Sequence, residues 1–169
     1  MKVHTKVRGL AAAGLLLAGL AGAGHASRTS AACANPLTNG GFETGTLAGW
    51  IRSGGGYIQA RQTFARTGLW GGEISVARGV PRGFLSQSFL AGGCTSATIW
   101  AFSGRSVAAA SLTDSTTGAT LGSVPLPQTG QVWTAATMAI PAGTSPSDLL
   151  TLTVSNAYGA VFLDDAAAS

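Results

Sequence analysis

Gly54-Gly55-Gly56, Tyr57-Ile58-Gln59-Ala60-Arg61-Gln62-Thr63-Phe64, Gly71-Gly72, Glu73-Ile74-Ser75-Val76-Ala77, Phe84-Leu85-Ser86-Gln87-Ser88-Phe89, Gly92-Gly93, Thr98-Ile99-Trp100-Ala101-Phe102: between residues 54 and 102, short apolar runs rich in aromatic and β-branched residues alternate with glycine pairs and triplets. Runs of this length bounded by turn residues are strand signals, and no stretch keeps the 3.6-residue period of a helix. The same rhythm continues outward through Ser106–Thr113, Gln131–Ile140, Leu149–Val154 and Ala160–Asp164, with breaks at Pro125-Leu126-Pro127 and between Pro141 and Pro146. The pattern predicts an all-β protein, an antiparallel sandwich or barrel almost free of helix. Alternation also assigns faces: Trp100 shares a side with Thr98 and Phe102, while Ile99 and Ala101 point the other way, and Trp133 sides with Ala135 and Thr137. Trp50, Trp100 and Trp133 read as core packing, since large aromatics dominate sandwich cores.

Ahead of these runs, Lys2, Lys6 and Arg8 precede an apolar Leu10–Leu20 segment and a small-x-small site at Gly24-His25-Ala26. This reads as a signal peptide over residues 1–26, leaving residues 27–169 as a single exported domain. No later segment approaches a spanning length of about 20 apolar residues, so membrane insertion is not expected. A lipoprotein reading would need Cys33 as the acylated residue, and Ser30-Ala31-Ala32 lacks the large aliphatic side chain for it. In an exported chain the two cysteines, Cys33 and Cys94, are expected to pair. Closing a loop of that size stabilises by roughly 4 kcal/mol in the chain-entropy model. No sorting signal or hydrophobic tail follows Asp165, so covalent anchoring at that end is not expected.

Loss of the leader removes every lysine and both histidines, leaving seven scattered arginines against six acids. Clustered basic residues facing phosphates are absent, which argues against nucleic acid as a partner. Without His or Lys, a Ser-His-Asp or Cys-His site, a Schiff base and a His-ligated zinc centre are excluded. Catalysis would have to use paired carboxylates, as glycoside hydrolases do, drawn from Glu43, Glu73, Asp114, Asp148, Asp164 and Asp165. Nothing in the spacing brings such a pair together, and the chain is read as a non-enzyme.

The two ends carry the motif information. Asn39-Gly40-Gly41-Phe42-Glu43-Thr44-Gly45 with Gly49-Trp50, then Thr67-Gly68, Leu85-Ser86-Gln87-Ser88-Phe89, Trp133-Thr134 and the closing Phe162-Leu163-Asp164-Asp165, together resemble the CenC-like carbohydrate-binding modules over nearly all of residues 27–169. Ala166-Ala167-Ala168 departs from the apolar residue that family usually places after its paired acids. The resemblance implies a galactose-binding-like antiparallel jelly-roll β-sandwich, a polysaccharide or glycan partner, and a structural calcium. Calcium takes six to eight hard oxygen ligands, and Glu43 with Asp164 or Asp165 would supply carboxylates if first and last strands are neighbours. Adjacent strand residues point to opposite faces, which favours Asp164 as the ligand and Asp165 as an exposed or auxiliary acid.

Sugar sites combine flat aromatic faces with a few oriented polar groups. Tyr57, Trp70, Phe84 and Tyr158 lie in or beside Gly-rich turns, with Arg52, Arg82 and Gln87 as nearby donors. Trp70, flanked by Gly71 and Gly72, is the first choice among the aromatics. Only two tyrosines supply phenolic hydroxyls, so an exported structural or adhesive β-sandwich that contacts proteins stands as the alternative. Neither the glycan nor the oligomeric state is legible.

Overall fold

The computed structural model describes residues 32–169; the leader read over residues 1–26 lies outside them. Ten strands follow in order: β1 Ile51–Gly54, β2 Tyr57–Arg61, β3 Gly71–Val76, β4 Gly83–Leu90, β5 Ser96–Ser103, β6 Ala108–Asp114, β7 Thr120–Leu126, β8 Thr134–Ala139, β9 Leu149–Asn156 and β10 Gly159–Ala168. They form two five-stranded antiparallel sheets, ordered β1-β4-β9-β6-β7 and β2-β3-β10-β5-β8. This is the all-β jelly-roll sandwich expected, with no helix among the described residues. No helix of the described residues is long and apolar enough to cross a membrane.

Alternation sets the core. On β5, Ala97, Ile99 and Ala101 turn inward, and on β9 Leu150, Leu152 and Val154 do the same; they meet Ile74, Leu85, Leu112, Val161 and Leu163, all of them buried. Each such large aliphatic side chain removed from water contributes about 1.5–3 kcal/mol, against the entropy of ordering it. Trp50 belongs to this core as expected, but Trp100 and Trp133 do not. They lie on the outer face of the second sheet, where Phe102 packs edge-on to Trp133 at 4.6 Å and stacks with Phe162 at 4.8 Å, and Phe64 sits 4.1 Å from Phe162. The sandwich therefore has a second, smaller aromatic cluster outside the inter-sheet core.

Two strands lie where the residue pattern gave no run. β1 is only four residues long and fully exposed, so it has no buried face to advertise it. β7 contains Pro125, which reads as a breaker, yet β7 is an edge strand and an edge position tolerates the missing N–H. β10 also outlasts its expected end at Asp164. A register shift between Asp164 and Ala167, with Asp165 at φ 45°, lets Ala167 and Ala168 pair with Thr98 and Ala97.

The beginning and the end of the described chain run side by side. Ala166 N donates to Gly40 O at 3.0 Å, and Ala168 N to Asn35 Oδ1 at 3.0 Å. Cys33 and Cys94 are joined as a disulfide, with Cα atoms 4.6 Å apart, fastening the start of the domain to the turn before β5.

Candidate functional site

The motif at the chain's opening is a folded loop built around Asn39. Its Nδ2 donates to Thr46 O and Ala48 O, its Oδ1 accepts from Thr44 N, and its own carbonyl accepts the Trp50 indole N–H at 3.2 Å. Phe42 and Trp50 stack at 5.4 Å and plug the sandwich, both buried. Gly72 is glycine because any Cβ there would strike the Phe42 ring. Much of the motif thus serves packing.

Glu43, Asp164 and Asp165 do converge. Asp164 Oδ1, Asp165 Oδ1 and Glu43 Cγ all lie 3.6–3.7 Å from the point a Cβ on Gly41 would occupy. Their oxygens are directed at the β2–β3 loop, residues 62–70. Glu43 accepts Leu69 N at 3.0 Å and Trp70 N at 3.1 Å. Asp164, fully buried, accepts Arg66 N at 2.6 Å and Thr67 N at 3.0 Å through Oδ2, and Asp165 N through Oδ1. Asp165 takes the Arg66 guanidinium at 2.6 Å and the Thr67 hydroxyl at 2.7 Å. The left-handed turn at Asp165 aims both acids at the same two loop residues, where strand alternation alone would have sent them apart. Gly68, at φ 66°, leaves room for the Glu43 carboxylate, which a Cβ would displace. Burial pushes the Asp164 carboxyl up from its ordinary value, opposed by the three amides it accepts.

The calcium expected at these acids would have to compete with the hydrogen bonds they already make. A cation needs carboxylate and carbonyl oxygens turned toward one point, whereas these carboxylates face backbone N–H groups, a hydroxyl and a guanidinium. Among the described residues no three His, Cys, Asp or Glu side chains are arranged to hold a metal. The positive charge beside Asp165 belongs to Arg66, whose guanidinium also lies 3.7 Å over the Trp100 ring.

The other carboxylates are also engaged. Glu73 pairs with Arg61 at 3.0 Å and takes Gln59 Nε2. Asp114 caps its own turn through Thr116 N and the Thr117 hydroxyl, and that hydroxyl, ahead of the amides, holds its carboxyl below the ordinary value against the opposing pull of desolvation. Asp148 accepts Ser145 N. Asp114 ends β6 and Asp148 immediately precedes β9, and the two chain segments are linked by Ser115 N donating to Leu149 O at 2.8 Å.

The sugar candidates divide. Trp70 is half-buried against the core, its indole over Gly45, far from the others. Gln87 is buried and bonded to Thr38, so it is no free donor. Arg52, Tyr57, Arg82, Phe84 and Tyr158 gather at the opposite end of the sandwich, formed by the β1–β2, β3–β4 and β9–β10 connections. Register fixes this: Gly54 faces Gly83, Tyr57 faces Ser75, Phe84 faces Ser155 and Gly159 faces Val76. Buried Asn156 shapes the last turn, donating to Ile74 O at 2.9 Å and Gly159 O at 2.8 Å while accepting Tyr158 N. Tyr57 is 78% exposed and Tyr158 46%. Three open hollows of about 270–420 Å³ lie here, one lined by Arg52, one by Tyr57 and Val80, one by Arg78 and Tyr158. Arg78 was missed by the residue reading; its neighbour Gly79, at φ 82°, was the available turn signal.

No family model and no curated protein matches the chain. Solved structures do. The carbohydrate-binding module TmCBM61, in complex with β-1,4-galactotriose, is 22% identical with a TM-score of 0.66, covering 80% of this chain and 97% of that one. The CBM22-1 xylan-binding domain of Paenibacillus barcinonensis Xyn10C is 19% identical, TM-score 0.54, covering 76% and 89%. A Stig cyclase, Fisc from Fischerella sp. TAU, bound to an indole compound, is 15% identical, TM-score 0.57, covering 80% and 96%. The chain has the β-sandwich fold of carbohydrate-binding modules, a fold that also hosts a cyclase.

Proposed function

We propose that this protein is an exported, non-catalytic carbohydrate-binding module of the CenC-like kind, which holds a polysaccharide across the end of the sandwich carrying Tyr57 and Tyr158. One observation carries the reading: two exposed phenol rings border open hollows at the end that also carries Arg52 and Arg78. A tyrosine face covers the apolar side of a pyranose, while guanidinium N–H groups donate to ring and hydroxyl oxygens. The outer aromatic cluster is the poorer platform, because Phe64, Phe102 and Phe162 spend their faces on one another and Arg66 covers Trp100. The two neighbours solved with galactotriose or named for xylan support a saccharide partner.

Affinity electrophoresis through gels containing soluble galactan, xylan, β-glucan or pectin is the test. Retention in at least one gel, lost in Tyr57→Ala and Tyr158→Ala but kept in Trp70→Phe, is expected. Migration unretarded by every polysaccharide would overturn the reading. A second reading, protein contact, draws on Val80 and Val107, both exposed at the same end as the tyrosines. It predicts self-association or cell binding without retention in any gel.

A further inference from the structure

Charge is distributed unevenly between the two ends of the sandwich. Arg52, Arg78, Arg82 and Arg105 all sit at the end carrying Tyr57 and Tyr158, and all are exposed. Register places them: Arg52 is two residues from the end of β1, Arg78 and Arg82 lie in the β3–β4 loop, and Arg105 follows β5 next to Gly159. The ion pairs among the described residues are Arg61–Glu73 and Arg66–Asp165, so none of these four arginines is paired with a carboxylate. The acids lie elsewhere. Asp114 and Asp148 mark the opposite end, Glu73 is mid-sheet under Arg61, and Glu43, Asp164 and Asp165 hold the β2–β3 loop. A chain with almost no net charge after residue 26 therefore presents one end that is purely cationic.

We infer that the ligand of this end is an anionic polysaccharide, one whose sugars carry carboxylate or sulfate groups. The inference rests on the binding reading above and names its substrate class. A neutral glycan is served by amides, which donate and accept, and by carboxylates, which accept; apart from the two phenols, the polar side chains argued for at this end are guanidinium groups, which only donate. Guanidinium pairs bidentately with planar carboxylate and with sulfate, and its charge raises the local concentration of a polyanion. Repulsion among four like charges left unpaired is relieved when such a ligand binds.

Polygalacturonate and its fully methyl-esterified form test this, because they share one backbone and differ in charge. With the disulfide-bonded protein, the acid form is expected to bind at least tenfold tighter than the ester at low ionic strength. That preference is expected to collapse above about 0.5 M NaCl, where the screening length falls to a few Å. Arg78→Gln combined with Arg82→Gln should cut affinity for the acid form about tenfold and flatten its salt dependence, with thermal melting confirming the fold. Sulfated chondroitin beside its desulfated form distinguishes sulfate from carboxylate. Equal binding of charged and neutral partners would overturn the charge inference and leave the binding reading standing. Failure to bind these pairs, together with failure in every neutral gel, would overturn both.

Discussion

Gln87 and Thr38 exchange two hydrogen bonds: Thr38 N donates to Gln87 Oε1 at 2.6 Å, and Gln87 Nε2 donates to Thr38 O at 2.9 Å. The side chain behaves as an extra length of backbone, pairing the opening segment with β4 before the first strand begins. Gln87→Leu would keep most of the volume and strand an N–H and a carbonyl in a half-buried place. The expected loss is about 1–3 kcal/mol, the cost of leaving buried polar groups unpaired, read as a lower urea midpoint. Glycan affinity measured below that midpoint should be unchanged, because Gln87 does not reach the tyrosine-bearing end.

Strand periodicity made the sandwich legible, because β4 and β9 alternate between buried and more accessible residues along their length and β5 does so as far as Ala101. The neighbouring chain ends were legible too, but only as what the family resemblance of the opening and closing motifs implies. What periodicity cannot do is say what covers an outer face. Trp100 and Trp133 were assigned to a core because nothing local reveals that Arg66 and Phe102 would pack on them from outside. Trp70 looked free between glycines, yet those glycines exist to admit Phe42 and the Phe64 backbone, and the indole closes over Gly45. Arg78 went unnoticed because its importance lies in company it keeps only after β3 and β10 have paired.

The carboxylates around Gly41 already face donors, so a cation there would have to displace hydrogen bonds already made. EDTA or added calcium should leave the melting temperature unchanged within error. Arg66→Gln, which removes the positive charge at Asp165, should lower it. A melting temperature that drops with chelator and recovers with calcium would show that the β2–β3 loop rearranges to present carbonyl oxygens instead.

The hydrogen bonds to Asp114 set the sign of its pH-dependent contribution. The Thr117 hydroxyl, first among its partners, holds its carboxyl below the ordinary value of 3.8, so the folded form favours the ionised state. Its stabilisation is fully present above the unfolded value and is lost as pH falls through the folded one. Asp164 acts in the opposite sense: burial raises its folded pKa, so its ionisation costs stability as pH rises through that value. Thr117→Val should therefore reduce stability near pH 7, and its difference from wild type should shrink as pH falls below the ordinary carboxyl value of 3.8. Urea midpoints for both proteins across that range, with Asp164 unchanged in each, isolate the Asp114 term.

Asn156 links the stability of the core to the presentation of Tyr158. It is fully buried, yet its amide donates to Ile74 O on β3 and to Gly159 O across the turn, while its carbonyl accepts Tyr158 N. Asn156→Ala would take a donor from each of two carbonyls and the acceptor from Tyr158 N, costing about 1–3 kcal/mol. The same change frees the β9–β10 turn, so Tyr158 would no longer be held beside Arg78. Polysaccharide affinity should fall in the folded variant although Asn156 touches no ligand. Tyr158→Ala should lose comparable affinity with almost no change in melting temperature, since nearly half of that residue is exposed. If Asn156→Ala weakens the fold but binds as wild type does, the turn is not what positions the ring, and the platform must rest on Tyr57 alone.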